Sequence, residues 1–63
     1  MTPSTFEALW KTLEPQLVPK WDMTDRLFYL AHPDYPTLQI SAPSDALALR
    51  AYYEALRQHL YNM

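Results

Sequence analysis

"RLFYLAHPDYPTLQIS", residues 26–41, decides the fold, because it reads either as two strands around a bend or as a helix running into a strand. Its second half is the clearer part. "TLQIS" alternates, with Leu38 and Ile40 on one side and Thr37, Gln39 and Ser41 on the other, as a half-buried strand does. "RLFYLAH" is apolar at consecutive positions, so periodicity alone does not choose its state. Met23, Leu27, Leu30 and Ala31 would mark one side of a helix capped by Asp22, and Leu, Met and Ala favour that state. A strand at residues 37–41 needs a partner, however, and the preceding segment is the nearest. The hairpin is the preferred reading, with "HPDYP" at 32–36 as its bend. Pro33 suits the second position of a type I turn and Asp34 the third, whereas a primed turn calls for Asn-Gly or Asp-Gly.

Loop length sets which side chains face inward. A loop over residues 32–36 places Leu30 opposite Leu38 and Phe28 opposite Ile40, with Leu27, Tyr29 and Ala31 on the other side. A loop over 33–36 reverses this and turns Tyr29 and Ala31 inward. In either register the first strand is apolar on both faces.

Helices flank this segment. In "STFEALWKTLE", Ser4 and Glu7 form a capping-box pattern, and Phe6, Leu9, Trp10, Leu13 and Leu17 recur at helical spacing. Pro15 removes an amide donor and ends or bends that helix, and "PQLVPK" follows as an extended connector. The final segment, "SDALALRAYYEALRQHLYNM", begins with Ser44 as N-cap and Asp45 in the first turn, where the helix dipole favours an anion. Leu49, Tyr52, Tyr53, Leu56 and Leu60 make its buried stripe, flanked by Ala48, Ala51 and Ala55. Arg50, Glu54 and Arg57 make a solvated face. The expected architecture is one small α+β domain over residues 1–63, ordered helix–β-hairpin–helix (αββα). An all-α three-helix arrangement is the alternative.

Composition narrows the function. No glycine is present, which excludes the phosphate-cradling loops and the nucleophile elbow that need unhindered backbone. No cysteine is present, which excludes disulfides and thiolate metal sites. The net charge is −2, and Lys11, Lys20, Arg26, Arg50 and Arg57 do not cluster, so the basic footprint of a nucleic-acid binder is missing. No apolar run reaches the roughly 18 residues of a membrane span, and the start lacks the pattern of a secretory signal. A soluble cytoplasmic protein is expected.

Chemistry-bearing residues are few. His32 and Asp34 sit two apart in the bend and His59 lies near the end of the last helix, but a metal needs three or four ligands and spacing supplies no third. Asp34 reads as a turn residue and His59 as a favourable charge at a helix C-terminus. Asp22 and Asp25, beside Thr24 and Arg26, read as a solvated or capping pair rather than an acid–base couple. Ser4, Ser41 and Ser44 stand where caps and strand ends take hydroxyls. No catalytic residue, metal or cofactor is expected.

Two resemblances attach to these residues. His32-Pro33-Asp34 resembles the motif by which J-domain co-chaperones stimulate their partner ATPase. "FEAL" at 6–9 and "YEAL" at 53–56 are similar to patterns in that family's first and third helices. The resemblance implies an all-helical chain. It departs from the family in having only Arg26 across residues 21–31, where that helix is strongly basic, and Tyr35 where the family has Lys. Separately, the helix–hairpin–helix order and length are similar to those of small phage head–tail joining proteins, which implies a structural part of a larger assembly.

The remaining signal is apolar surplus. The chain is 49% hydrophobic with two tryptophans, five tyrosines and two phenylalanines in 63 residues. A body this small buries only about 60% of its unfolded surface. Trp10, Tyr52 and Tyr53 are expected in the core. Trp21 stands alone between Lys20 and Asp22, Tyr35 between two prolines, and Tyr61 near the chain end. Phe28 and Tyr29 point to opposite faces of a strand. Rigid aromatics at such places are typical interface anchors. The expectation is a small non-enzymatic protein–protein interaction module (an adaptor, regulatory subunit or inhibitor) that contacts another protein or a second copy of itself through Trp21, Phe28, Tyr29, Tyr35 and Tyr61.

Overall fold

Thr2, not Ser4, starts the first helix. The computed structural model describes residues 2–61, and in it Pro3–Leu13 form α1. Thr2 is extended, at φ −81° and ψ 157°, and its hydroxyl accepts the Thr5 amide at 3.3 Å. Proline at the first helical position explains the early start, because its missing N–H would be unsatisfied there in any case. The capping box expected of Ser4 and Glu7 is thus replaced, and Glu7 instead accepts a hydrogen bond from the Tyr53 hydroxyl of the last helix. Pro15 ends α1 as expected, through a 3-10 turn at Glu14–Gln16.

The central segment is a sheet. Lys20–Asp22 form β1, Leu27–His32 form β2 and Tyr35–Ala42 form β3, all antiparallel in the order β1-β2-β3. The hairpin reading holds and gains a strand, since Lys20, read as the end of a connector, and Trp21 and Asp22, which follow it, pair with β2. The all-α alternative falls, and with it the J-domain resemblance, which required residues 22–31 to be helical. Asp22 does receive the amides of Thr24 and Asp25, at 2.8 and 3.0 Å, as a helix cap would. The chain then turns back through Arg26, held at φ 55°. That left-handed conformation crowds a Cβ against the backbone and suits glycine better. Arg26→Gly is expected to raise stability by about 0.5 kcal/mol, read in urea denaturation, because relief of this crowding outweighs the added freedom of the unfolded chain.

Neither expected register is the observed one. His32 pairs with Tyr35 across a two-residue turn, Pro33 and Asp34. The ladder then breaks and resumes at Ala31–Gln39, Leu30–Ile40, Tyr29–Ser41 and Phe28–Ala42. Residues 36–38 therefore bulge from β3. Two causes coincide there. Pro36 has no amide to donate, and Pro33 and Asp34 keep negative φ, so the turn lacks the primed twist that would lead directly into a regular ladder. The register differs from the five-residue-loop expectation by two, which preserves the facing of every side chain on β2. Phe28, Leu30 and His32 point toward the helices, and Tyr29 and Ala31 point away.

Asp45–Tyr61 form α2. Ser44 caps it as expected, its hydroxyl accepting the Leu47 amide at 3.2 Å. Residues Asn62 and Met63, included in the expected helix, lie outside the described residues. The stripe centres on Ala48, Tyr52 and Leu56, all fully buried, while Leu49, Tyr53 and Leu60 flank it half-buried. Ala48 takes the middle because a small side chain lets the helix approach the sheet. Phe6, Trp10, Leu13 and Leu17 complete the core with Leu30 and Ala42. Tyr53 meets both Phe6 and Trp10 edge-on at 5.1 Å, so aromatic rings fill the space between the helices. The result is an α+β domain whose helices and core lie on one face of a three-stranded sheet.

Candidate protein-interaction surface

The uncovered face carries Lys20 of β1, Tyr29 and Ala31 of β2, and Gln39 and Ser41 of β3, all exposed. Alternation puts them there, since each sits one residue from an inward neighbour. Lys20, Tyr29, Ala31 and Gln39, with Val18, Leu30 and Ile40, line a shallow groove of about 180 Å³. Ligand pockets typically enclose about 300–1,000 Å³, so this groove is a surface feature and not a small-molecule site.

Exposed apolar bulk is concentrated in one stretch of the chain. Met23 is 82% exposed, Val18 68%, Trp21 50% and Tyr29 38%, all within residues 18–29; Leu47, at 51%, is the remaining large one among the described residues. Asp25 accepts a hydrogen bond from the Tyr29 hydroxyl. That bond fixes the ring over the open face and holds the phenol pKa above its ordinary value, with partial burial and the charges of Asp25 and Asp22 adding to the effect.

The five expected contact residues do not form one patch. Trp21 and Phe28 are cross-strand partners with ring centroids 4.9 Å apart. They lie on the helix-bearing face, Phe28 half-buried against the core and Trp21 exposed. Tyr29 is on the opposite face. Tyr35 is half-buried between His32 and His59, at 6.2 and 6.3 Å. Tyr61 is half-buried with its ring edge-on to Phe6 and Arg57 over its face at 5.4 Å. Trp21 and Tyr29 are therefore the accessible anchors. Val18 and Met23, which sequence reasoning passed over, join them. Val18 sits in a connector with no periodic signal, and the spacing of Met23 fits only the helical alternative, so only the structure reveals them as exposed.

"HPDYP" is a structural bend. His32 is buried; its Nε2–H donates to Gln16 Oε1 at 2.8 Å, and its Nδ1 accepts the Asp34 amide at 3.1 Å. Both ring nitrogens are thus engaged, one tying the 3-10 turn to the sheet and one closing the hairpin. The Asp34 carboxylate lies 3.8 Å from Nδ1. Among the described residues no group of three His, Asp or Glu side chains comes together as a metal would need. Among the described residues no helix is long and apolar enough to cross a membrane. Compared with known proteins, the chain matches no family model, no curated protein and no solved structure.

Proposed function

We propose that this chain is a small non-enzymatic interaction module, an adaptor, regulatory subunit or inhibitor that works in the cytoplasm by pressing its β1–β2 region against another protein. One observation supports the reading: the sheet is covered on a single face, and most of the large exposed apolar side chains fall in residues 18–29. Water-exposed rings and aliphatic groups held on a rigid sheet lose little entropy on contact and gain from burial. A standard interface takes about 800 Å² from each partner, less than a fifth of the 4560 Å² this chain exposes.

The test is affinity purification from the native host, read by mass spectrometry, with wild type beside two variants. Val18→Lys with Tyr29→Lys changes the open face, and Arg50→Ala changes the solvated side of α2. A partner retained by wild type and Arg50→Ala, and lost by the lysine pair, supports the reading. Identical recovery with all three proteins contradicts it.

A further inference from the structure

We propose that two copies of this chain associate through the free edge of β1, antiparallel about a two-fold axis at Trp21, joining two three-stranded sheets into one of six strands. This deepens the interaction-module reading, on which it rests, by naming a second copy as the occupant of the β1 edge.

The argument begins with which edge is open. In the order β1-β2-β3, both outer strands leave one side of their backbone unpaired. Proteins blunt such edges with proline and bulges. The β3 edge is blunted in both ways, by Pro36 and the irregularity over residues 36–38, with Pro43 directly after the strand. β1 contains neither; Pro19 precedes it and limits any added ladder to its three residues.

Those three residues are self-complementary. Antiparallel pairing centred on position 21 sets residue 20 of each copy against residue 22 of the other. Lys20 then faces Asp22 twice, once on each side of the axis. An isologous interface requires this reciprocity, and opposite charges directly across a ladder are favourable whereas like charges are not. Parallel pairing loses the match. Asp22 is already positioned for the role, because its Oδ1 is held by the amides of Thr24 and Asp25 while Oδ2 remains for a partner. Lys20 has no carboxylate within ion-pair distance among the described residues. On the other face Trp21 meets its own counterpart at cross-strand distance, each ring backed by Phe28 at 4.9 Å.

Sedimentation equilibrium with charge-reversed variants tests this. Wild type is expected to dimerise with rising concentration. Lys20→Asp and Asp22→Lys each put like charges across both pairs and are expected to weaken association on the order of tenfold or more. Their equimolar mixture restores two opposite pairs and is expected to recover near wild-type affinity as a heterodimer. Asp22→Lys also removes the turn cap, so a second readout uses Trp21→Cys. The chain has no cysteine of its own. Facing residues in a ladder have Cα atoms about 4.5–5.5 Å apart, within disulfide reach. Trp21→Cys is expected to oxidise to a covalent dimer much faster than Leu47→Cys, a position equally exposed at 51%. A wild type that stays monomeric at every concentration, a mixture no tighter than its components, or equal cross-linking at the two positions overturns the dimer. A monomer that still captures a partner through Val18 and Tyr29 would sink the dimer alone and leave the module reading intact.

Discussion

Tyr52→Ala is expected to leave the chain largely unfolded, while Tyr52→Phe at the same position makes it more stable. Tyr52 is a fully buried member of the core, its ring 6.5 Å from that of Trp10. Removing a buried aromatic side chain costs about 3–5 kcal/mol. A domain of this length has roughly 3–9 kcal/mol in all, at about 0.05–0.15 kcal/mol per residue. The truncation therefore removes most of the available margin. The hydroxyl works in the other direction. It is buried, and no group among the described residues hydrogen-bonds to it. An unsatisfied buried polar group costs about 1–3 kcal/mol, so phenylalanine is expected to return about 1 kcal/mol. Urea denaturation followed by circular dichroism reads both signs; stabilisation by alanine, or loss of several kcal/mol with phenylalanine, would contradict this packing.

The same hydroxyl sets an alkaline limit. Burial pushes the Tyr52 phenol above its ordinary value of about 10, with nearby Tyr35 and Asp34 adding to the shift. Tyr53 is raised first by its hydrogen bond to Glu7, and Tyr29 first by its bond to Asp25. Each is an acid whose folded form keeps the proton longer than the unfolded form does. Below about pH 10 all three stay protonated and stability does not depend on them through pH; as pH rises through the shifted values the folded state loses stability relative to the unfolded chain, which ionises first. Stability measured against pH is expected to fall on the alkaline side, less steeply in Tyr52→Phe.

Leu30→Lys and Ala31→Lys, neighbours in sequence, are expected to differ by several kcal/mol. Leu30 is 2% exposed and faces the core; Ala31 is exposed on the open face. A lysine at position 30 must bury its charge or displace the helices, at a cost on the order of several kcal/mol. At position 31 it stands in water, and such surface changes usually stay within about 0.5 kcal/mol. The comparison isolates the facing of β2 from every other property of the chain. Equal tolerance of the two lysines would mean that the sheet has no covered side, and equal damage that it has no open one.

Much of this was readable from residues. Alternation in "TLQIS", the prolines of "HPDYP" and the cap at Ser44 report local physics, and each sits where that physics puts it. The ladder was not readable, because its register depends on how Pro36 and an unprimed turn share the distortion, which no single residue declares. β1 was hidden for a similar reason. "KWD" is three residues long with two charges, and it is a strand only because β2 offers it an edge. Thr2 was overlooked because Ser4 and Glu7 present a stronger pattern, yet Pro3 settles the start. Of the aromatics offered as contacts, Trp21 and Tyr29 are the exposed ones, although the sequence left the facing of Tyr29 open between two registers. It could not foresee that Tyr35 and Tyr61 would find His59 and Phe6 to pack on.

The most direct measurement is an amide NMR dilution series on the wild-type chain. Signals of Lys20, Trp21 and Asp22, and of their partners Leu27, Phe28 and Tyr29, are expected to move and to gain protection from exchange as concentration rises. Signals of Arg50, Glu54 and Arg57 on the solvated side of α2 are expected to stay fixed. A spectrum unchanged from the most dilute sample to the most concentrated, with no β1 amide gaining protection, would show that two copies do not meet at this edge.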